Sequence, residues 1–122
     1  MPLLLVFLGG MLGAPLRYLT DKVIQARHDS VFPFGTFTVN IAGSFILGSL
    51  AAAVATHGLP PNVLLLLGTG VCGALTTFST FTFETVRLLE DGSLAEAGLN
   101  AIGSLLVGLA AAAAGYALLT WL

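Results

Sequence analysis

Long stretches without a charged side chain alternate with two short polar clusters along this chain. Residues 1–16 carry no charge, and Arg17, Asp21, Lys22, Arg27 and Asp29 then follow closely together. Residues 30–83 are again uncharged, interrupted only by the turn sequence His57-Gly58-Leu59-Pro60-Pro61-Asn62. Glu84, Arg87, Glu90, Asp91 and Glu96 form the second cluster, and residues 97–122 have no charge. A helix rising about 1.5 Å per residue needs about 20 residues to cross a hydrocarbon core of about 30 Å. The pattern therefore predicts four membrane helices, over about 2–20, 32–56, 62–88 and 97–121. These runs do not alternate as barrel strands would. The expectation is an all-α integral membrane protein whose residues 1–122 form one membrane domain.

Composition narrows the class further. Hydrophobic residues make up 57% of the chain and charged ones 8%, with a net charge of −2. So few charges cannot cover a soluble surface, which excludes a soluble enzyme and a disordered chain. Four basic residues exclude a nucleic-acid binder. Cys72 stands alone, so no intrachain disulfide or CxxC pair exists, and an inert buried thiol is expected. The run Met1 to Leu8 lacks a basic n-region and a following Ala-x-Ala site, so it reads as a retained first span. The basic residues all lie in or beside the connections 1–2 and 3–4, which the positive-inside rule puts in the cytoplasm. His28 and His57 fall in loops and look incidental, while Tyr116 and Trp121 suit an interfacial belt.

Small and polar residues then mark the helix faces. A shift of 60 residues lays Gly10, Gly13 and Ala14 on Gly70, Gly73 and Ala74. It also lays Asn40, Gly43, Ser44 and Gly48 on Asn100, Gly103, Ser104 and Gly108. Duplicated hairpins or convergent small-residue packing would both produce this. Gly9/Gly13, Ser44/Gly48, Ser104/Gly108 and Ala111/Gly115 are small pairs four apart, the spacing for close helix contact. Thr36, Asn40 and Ser44 form one polar stripe, and Asn100 with Ser104 a second. Interhelical hydrogen bonding or a polar track along a pore both account for them.

Gly73-Ala74-Leu75-Thr76-Thr77-Phe78-Ser79-Thr80-Phe81-Thr82-Phe83 is a poor helix former in the middle of span 3. A break here would free carbonyls near the bilayer midplane, which is tolerated where backbone is buried in protein or lines a cavity. The alternative is an intact helix whose hydroxyls bond back to the preceding turn. Phe78 and Phe81 share a face and could offer positive ring edges to an anion. Arg17 either snorkels to the headgroups or shapes a vestibule mouth. Glu84 and Arg87, three apart, are expected to form a helix-end pair.

Three segments together resemble the Fluc (CrcB-type) family of small fluoride channels. They are Gly9-Gly10-x-x-Gly13-Ala14-x-x-Arg17-Tyr18, then Gly35-Thr36-x-x-Val39-Asn40-x-x-Gly43-Ser44-Phe45, then Gly70-x-x-Gly73-x-x-Thr76-Thr77-Phe78-Ser79-Thr80-Phe81. The resemblance covers the whole chain, and the third segment is its most specific part. It implies a passive channel that exports fluoride across a bacterial inner (plasma) membrane. It also implies a homodimer of oppositely oriented subunits, two pores between them and a structural sodium ion at the centre. Carried over by motif, backbone carbonyls of Gly73 and Thr76 would hold sodium. Asn40, Phe78, Phe81, Ser79 and Ser104 would line the fluoride path, and Arg17 the vestibule. Ala74 departs from the Gly-Gly of many relatives. The one-sided basic residues sit poorly with opposite insertion of identical subunits, and the alternative is a fixed-orientation pair of paralogous chains, as in some members of the family.

Other classes fare worse against the residues. A small multidrug-type proton antiporter needs a membrane-embedded carboxylate, and residues 30–83 contain none. A non-conducting accessory subunit leaves the two polar stripes without a use. An enzyme has no acid–base or nucleophile–base pair within the spans. Four short helices also cannot enclose a pore and bury their small-residue faces at once, so a dimer is the physical expectation.

Overall fold

The computed structural model of the chain describes residues 2–27 and 32–122; His28 and Asp29 of the first polar cluster lie outside them. Four helical stretches are long and apolar enough to cross a membrane: Pro2–Ala26, Phe34–Thr56, Pro61–Glu90 and Leu94–Trp121. The first (α1, Pro2–Ala26) runs well past Arg17, so Arg17, Asp21 and Lys22 sit on its last turns and not in a loop. Leu16, Leu19, Val23 and Ile24 continue the apolar pattern through the charges and carry the helix onward. The second helix is α2 (Phe34–Thr56). The third span is divided into α3 (61–75) and α4 (Ser79–Glu90). The fourth is α5 (Leu94–Trp121). The turns before α3 and between α4 and α5 use Gly58 (φ 70°) and Gly92 (φ 80°), a left-handed backbone that glycine adopts without steric cost.

Two stretches are wound more widely than an α-helix, with i→i+5 bonding: Leu64–Cys72 in α3 and Leu99–Gly103 in α5. Such turns gather at functional sites in helical proteins. Here the first leads directly into the break and the second contains Asn100.

The helices pack in two like-directed pairs, α1 on α3 and α2 on α5. Lipid supplies no hydrophobic force between helices, so backbones must come close through small residues. At the α1–α3 crossing, a methyl group added to Gly9 would lie 2.7 Å from Gly70 Cα. At the α2–α5 crossing, Gly48 rests on the Ala112 backbone and Gly115 on the Phe45 carbonyl. Gly108 faces the same seam, where its position meets Ser44 and Ile41 at ordinary contact distance. The buried apolar side chains among the described residues are few, including Val39, Ala52, Leu88 and Ala97, while Leu3, Phe7, Leu105 and Leu109 are exposed. That is the inverse of a soluble fold and the pattern of a chain solvated by lipid. Trp121 and Tyr116 are exposed near one end, as an interfacial belt requires.

One expected contact is corrected. Glu84 makes no ion pair with Arg87 in the structure; Thr36, Asp21 and Arg87 all lie near its carboxylate, and its Oε1 is buried without a hydrogen-bond partner. Asp21 is drawn into the same corner because Gly35, lacking a side chain, lets its carboxylate lie against the start of α2.

Candidate functional site

The break in the third span is a redistribution of hydrogen bonds. In an unbroken helix, Thr77 N–H would bond the Gly73 carbonyl and Thr80 N–H the Thr76 carbonyl. Thr77 N–H instead donates to Asn40 Oδ1 at 2.7 Å, and Asn40 Nδ2 donates to the Thr77 carbonyl at 3.0 Å. Thr80 N–H donates to Thr77 Oγ1 at 3.2 Å. Thr76 is extended between them, with φ −79° and ψ 158°. Asn40 thus replaces a turn of helix with a two-point amide clamp, and the carbonyls of Gly73 and Thr76 both lose the donors that an α-helix would give them.

Intact-helix behaviour and a break coexist in this segment. Thr76 Oγ1 donates to the Cys72 carbonyl at 2.9 Å, which also receives Thr76 N–H at 2.9 Å. Thr82 and Thr85 donate to the Phe78 and Phe81 carbonyls in the same manner. Back-bonding of this kind loosens a helix without ending it. The clamp from α2 ends it.

A groove of about 680 Å³ opens at the break. Its wall includes Asn40, Gly73, Thr76, Phe78, Phe81 and Ser104, so six of the eight residues singled out from the sequence come together. Phe78 is 79% exposed, and its ring centroid lies 5.9 Å from that of Phe81, tilted by 45°. Ser79 and Arg17 are not part of this wall. Ser79 points to Thr77 Oγ1 at 3.4 Å, and Arg17 stays half-buried on α1. Thr69 lines the groove although it was not singled out beforehand. Its spacing from Cys72 and Thr76 on one helical face is the signal that would have found it.

The wall is uncharged, and its donors are partly occupied. Ser44 donates to the Asn40 carbonyl at 2.7 Å, and Ser104 to Asn100 Oδ1 at a longer 3.3 Å. Asn40 Nδ2 has a second hydrogen beyond the one given to Thr77. Among the described residues no group of three His, Cys, Asp or Glu could hold a metal ion. A cation at this site would have to take backbone oxygens, and Gly73 and Thr76 supply two that the helix has released. Cys72, beneath the groove, is buried.

The sequence profile described as "CrcB-like protein, Camphor Resistance (CrcB)" matches residues 4–116. The chain belongs to the CrcB-like family. Similar proteins include "Fluoride-specific ion channel FluC 1" of Streptomyces avermitilis, 55% identical over 112 residues that cover 92% of this chain and 90% of the relative. The protein of the same name from Frankia casuarinae is 54% identical, covering 94% and 93%. "Fluoride-specific ion channel FluC" of Anaeromyxobacter dehalogenans is 44% identical, covering 98% and 96%. These relatives bear the names of channels and not of enzymes. This CrcB-like protein is accordingly a multi-pass membrane protein, and its groove is the feature in which a channel function has to be sought.

Proposed function

We propose that the protein is a passive fluoride-selective channel whose conduction path runs along the groove at the helix break. The observation that carries this reading is the meeting of Asn40, Phe78, Phe81 and Ser104 in one uncharged groove beside released backbone. Fluoride is small and strongly hydrated, so a pore must exchange its water for donors without trapping it. Amide and hydroxyl hydrogens and the positive edges of phenyl rings do this more weakly than a fixed cation, which favours exit as well as entry. Asn40, Ser104 and, at the groove's flank, Ser79 are the polar contacts in this reading; Arg17 shapes the approach.

The path is completed by a second copy. Phe78 is too exposed and the groove too open for one chain to enclose an ion, and the groove face carries the exposed Gly73, whose missing side chain lets another subunit approach. In the homodimer, the Gly73 and Thr76 carbonyls of both subunits would hold a structural sodium ion. Backbone oxygens suit a hard monovalent cation, and both carbonyls lack their helical donors. The ion would supply positive charge near the path and tie two broken helices together. Opposite orientation of the two subunits belongs to the same proposal.

The test is fluoride efflux from liposomes holding purified protein, read by a fluoride electrode with a potassium ionophore supplying counter-ion flow. Rapid fluoride efflux with chloride retained is expected, slowing when sodium is replaced by a large organic cation. Vesicles that hold fluoride as tightly as protein-free ones would sink the reading.

A further inference from the structure

Asn100 is the second asparagine of the polar stripes, and the groove does not absorb it. Its side chain is fully buried at 0% exposure, and it is not among the wall residues. Its polar atoms nevertheless lead to two residues that are. Ser104 Oγ–H donates to Asn100 Oδ1 at 3.3 Å. Asn100 Nδ2–H donates to Thr85 Oγ1 at 2.8 Å, and Thr85 Oγ1–H donates to the Phe81 carbonyl at 2.8 Å. The donors run in one direction, from Ser104 on α5 to Phe81 on α4, and bonds in series polarise one another.

We propose that Asn100 is a positioning residue of the conduction path, a buried amide that holds the Ser104 hydroxyl and the Phe81 backbone in register from behind the wall. The proposal rests on the channel reading above. Each Asn100 polar atom sits where water cannot replace a lost partner, so the amide fixes the separation of α4 and α5 at this level. The wide turn of Leu99–Gly103 carries Asn100 at this point, one turn before Ser104. At rest Ser104 directs its proton to Asn100 and its lone pairs elsewhere. The 3.3 Å link is the longest of the series, so it is the one an anion can compete for by drawing the freely rotating hydroxyl proton toward itself. Asn100 thereby sets how readily Ser104 offers a donor, and Thr85 transmits the same constraint to Phe81.

The test uses shape-conserving changes in the liposome assay. Thr85→Val removes the hydroxyl at nearly constant volume, and Thr85→Ser restores it. Asn100→Leu and Thr85→Val are each expected to lower maximal fluoride efflux roughly tenfold, as the loss of one buried bond from the conducting arrangement would. Thr85→Ser should return to within about twofold of the parent, and the Asn100→Leu/Thr85→Val double variant should be no slower than Asn100→Leu alone. Thr85→Val at the parent rate, Thr85→Ser as slow as Thr85→Val, or losses that multiply in the double variant would each overturn the proposal. Should Asn100→Leu fail to fold, the Val/Ser pair at position 85 decides alone. A silent parent protein overturns the channel reading along with this one, whereas an active parent with unaffected variants overturns only this one.

Discussion

The first and third membrane helices begin alike and finish differently. A shift of 60 residues lays Gly10, Gly13 and Ala14 on Gly70, Gly73 and Ala74. The first helix then meets Pro15, which removes an N–H and crowds the turn before it. It nevertheless runs unbroken from Pro2 to Ala26. The third meets Leu75, has no proline after Pro61, and stops there. Proline position alone would have put the break in the wrong helix. What separates them is a partner on another span: Asn40 takes both backbone groups of Thr77, while the equivalent position in the first helix is Arg17. Asn100, the counterpart of Asn40, bonds a side chain at Thr85 and leaves its neighbour helical. A proline can be absorbed by a helix whose neighbours leave its backbone alone, and a helix without one ends where an amide claims both sides of a peptide.

Four substitutions probe this contrast. The largest effect is expected from Gly9→Leu, which drives a side chain into the Gly70 backbone where the two helices cross. Overpacking of about 3 kcal/mol against rigid backbone removes much of a marginal stability, so size-exclusion in detergent should recover little folded protein. Asn40→Leu should come next. It leaves Thr77 N–H free to rejoin the Gly73 carbonyl, and losing the two-point clamp should cost about 2–3 kcal/mol, or on the order of a hundredfold in fluoride efflux. Efflux at the parental rate would show that the break stands without its clamp. Thr77→Val is expected to be milder: it removes the oxygen that draws Thr80 N–H from the Thr76 carbonyl, at a cost of about 1 kcal/mol and a several-fold slower efflux. Pro15→Ala should change thermal stability by less than about 1 kcal/mol and leave efflux unchanged. A broken or inactive first helix in that variant would mean that Pro15 shapes the molecule after all.

Much of this architecture was legible in residue order. The uncharged runs located all four spans, because lipid leaves no other place for them, and Gly73 to Phe83 marked the weak point of the third. The small pairs Gly9/Gly13, Ser44/Gly48 and Ala111/Gly115 were legible as crossings for the same reason. The cause of the break was not legible, since the clamp joins Asn40 to Thr77 across spans and no window along the chain contains both. The burial of Glu84 escaped for a similar reason: spacing along α4 points to Arg87 alone, but Thr36 and Gly35, against which Asp21 lies, belong to α2. The wide turns at Leu64–Cys72 and Leu99–Gly103 carry no residue signature of their own, and α1 outran its expected end because its apolar face continues beneath the charges.

An interrupted helix has four ends where a whole one has two. The extra pair, at Leu75 and Ser79, face each other across residues 76–78. Aligned peptide dipoles place the equivalent of about half a negative charge at a helix C-terminus and about half a positive charge at an N-terminus. Within a stretch of chain that bears no Asp, Glu, Lys or Arg from residue 30 to residue 83, the break therefore creates two opposite poles inside the membrane. Neither pole has a proton to gain or lose. These two poles are built from peptide bonds alone, so a change of pH leaves them in place.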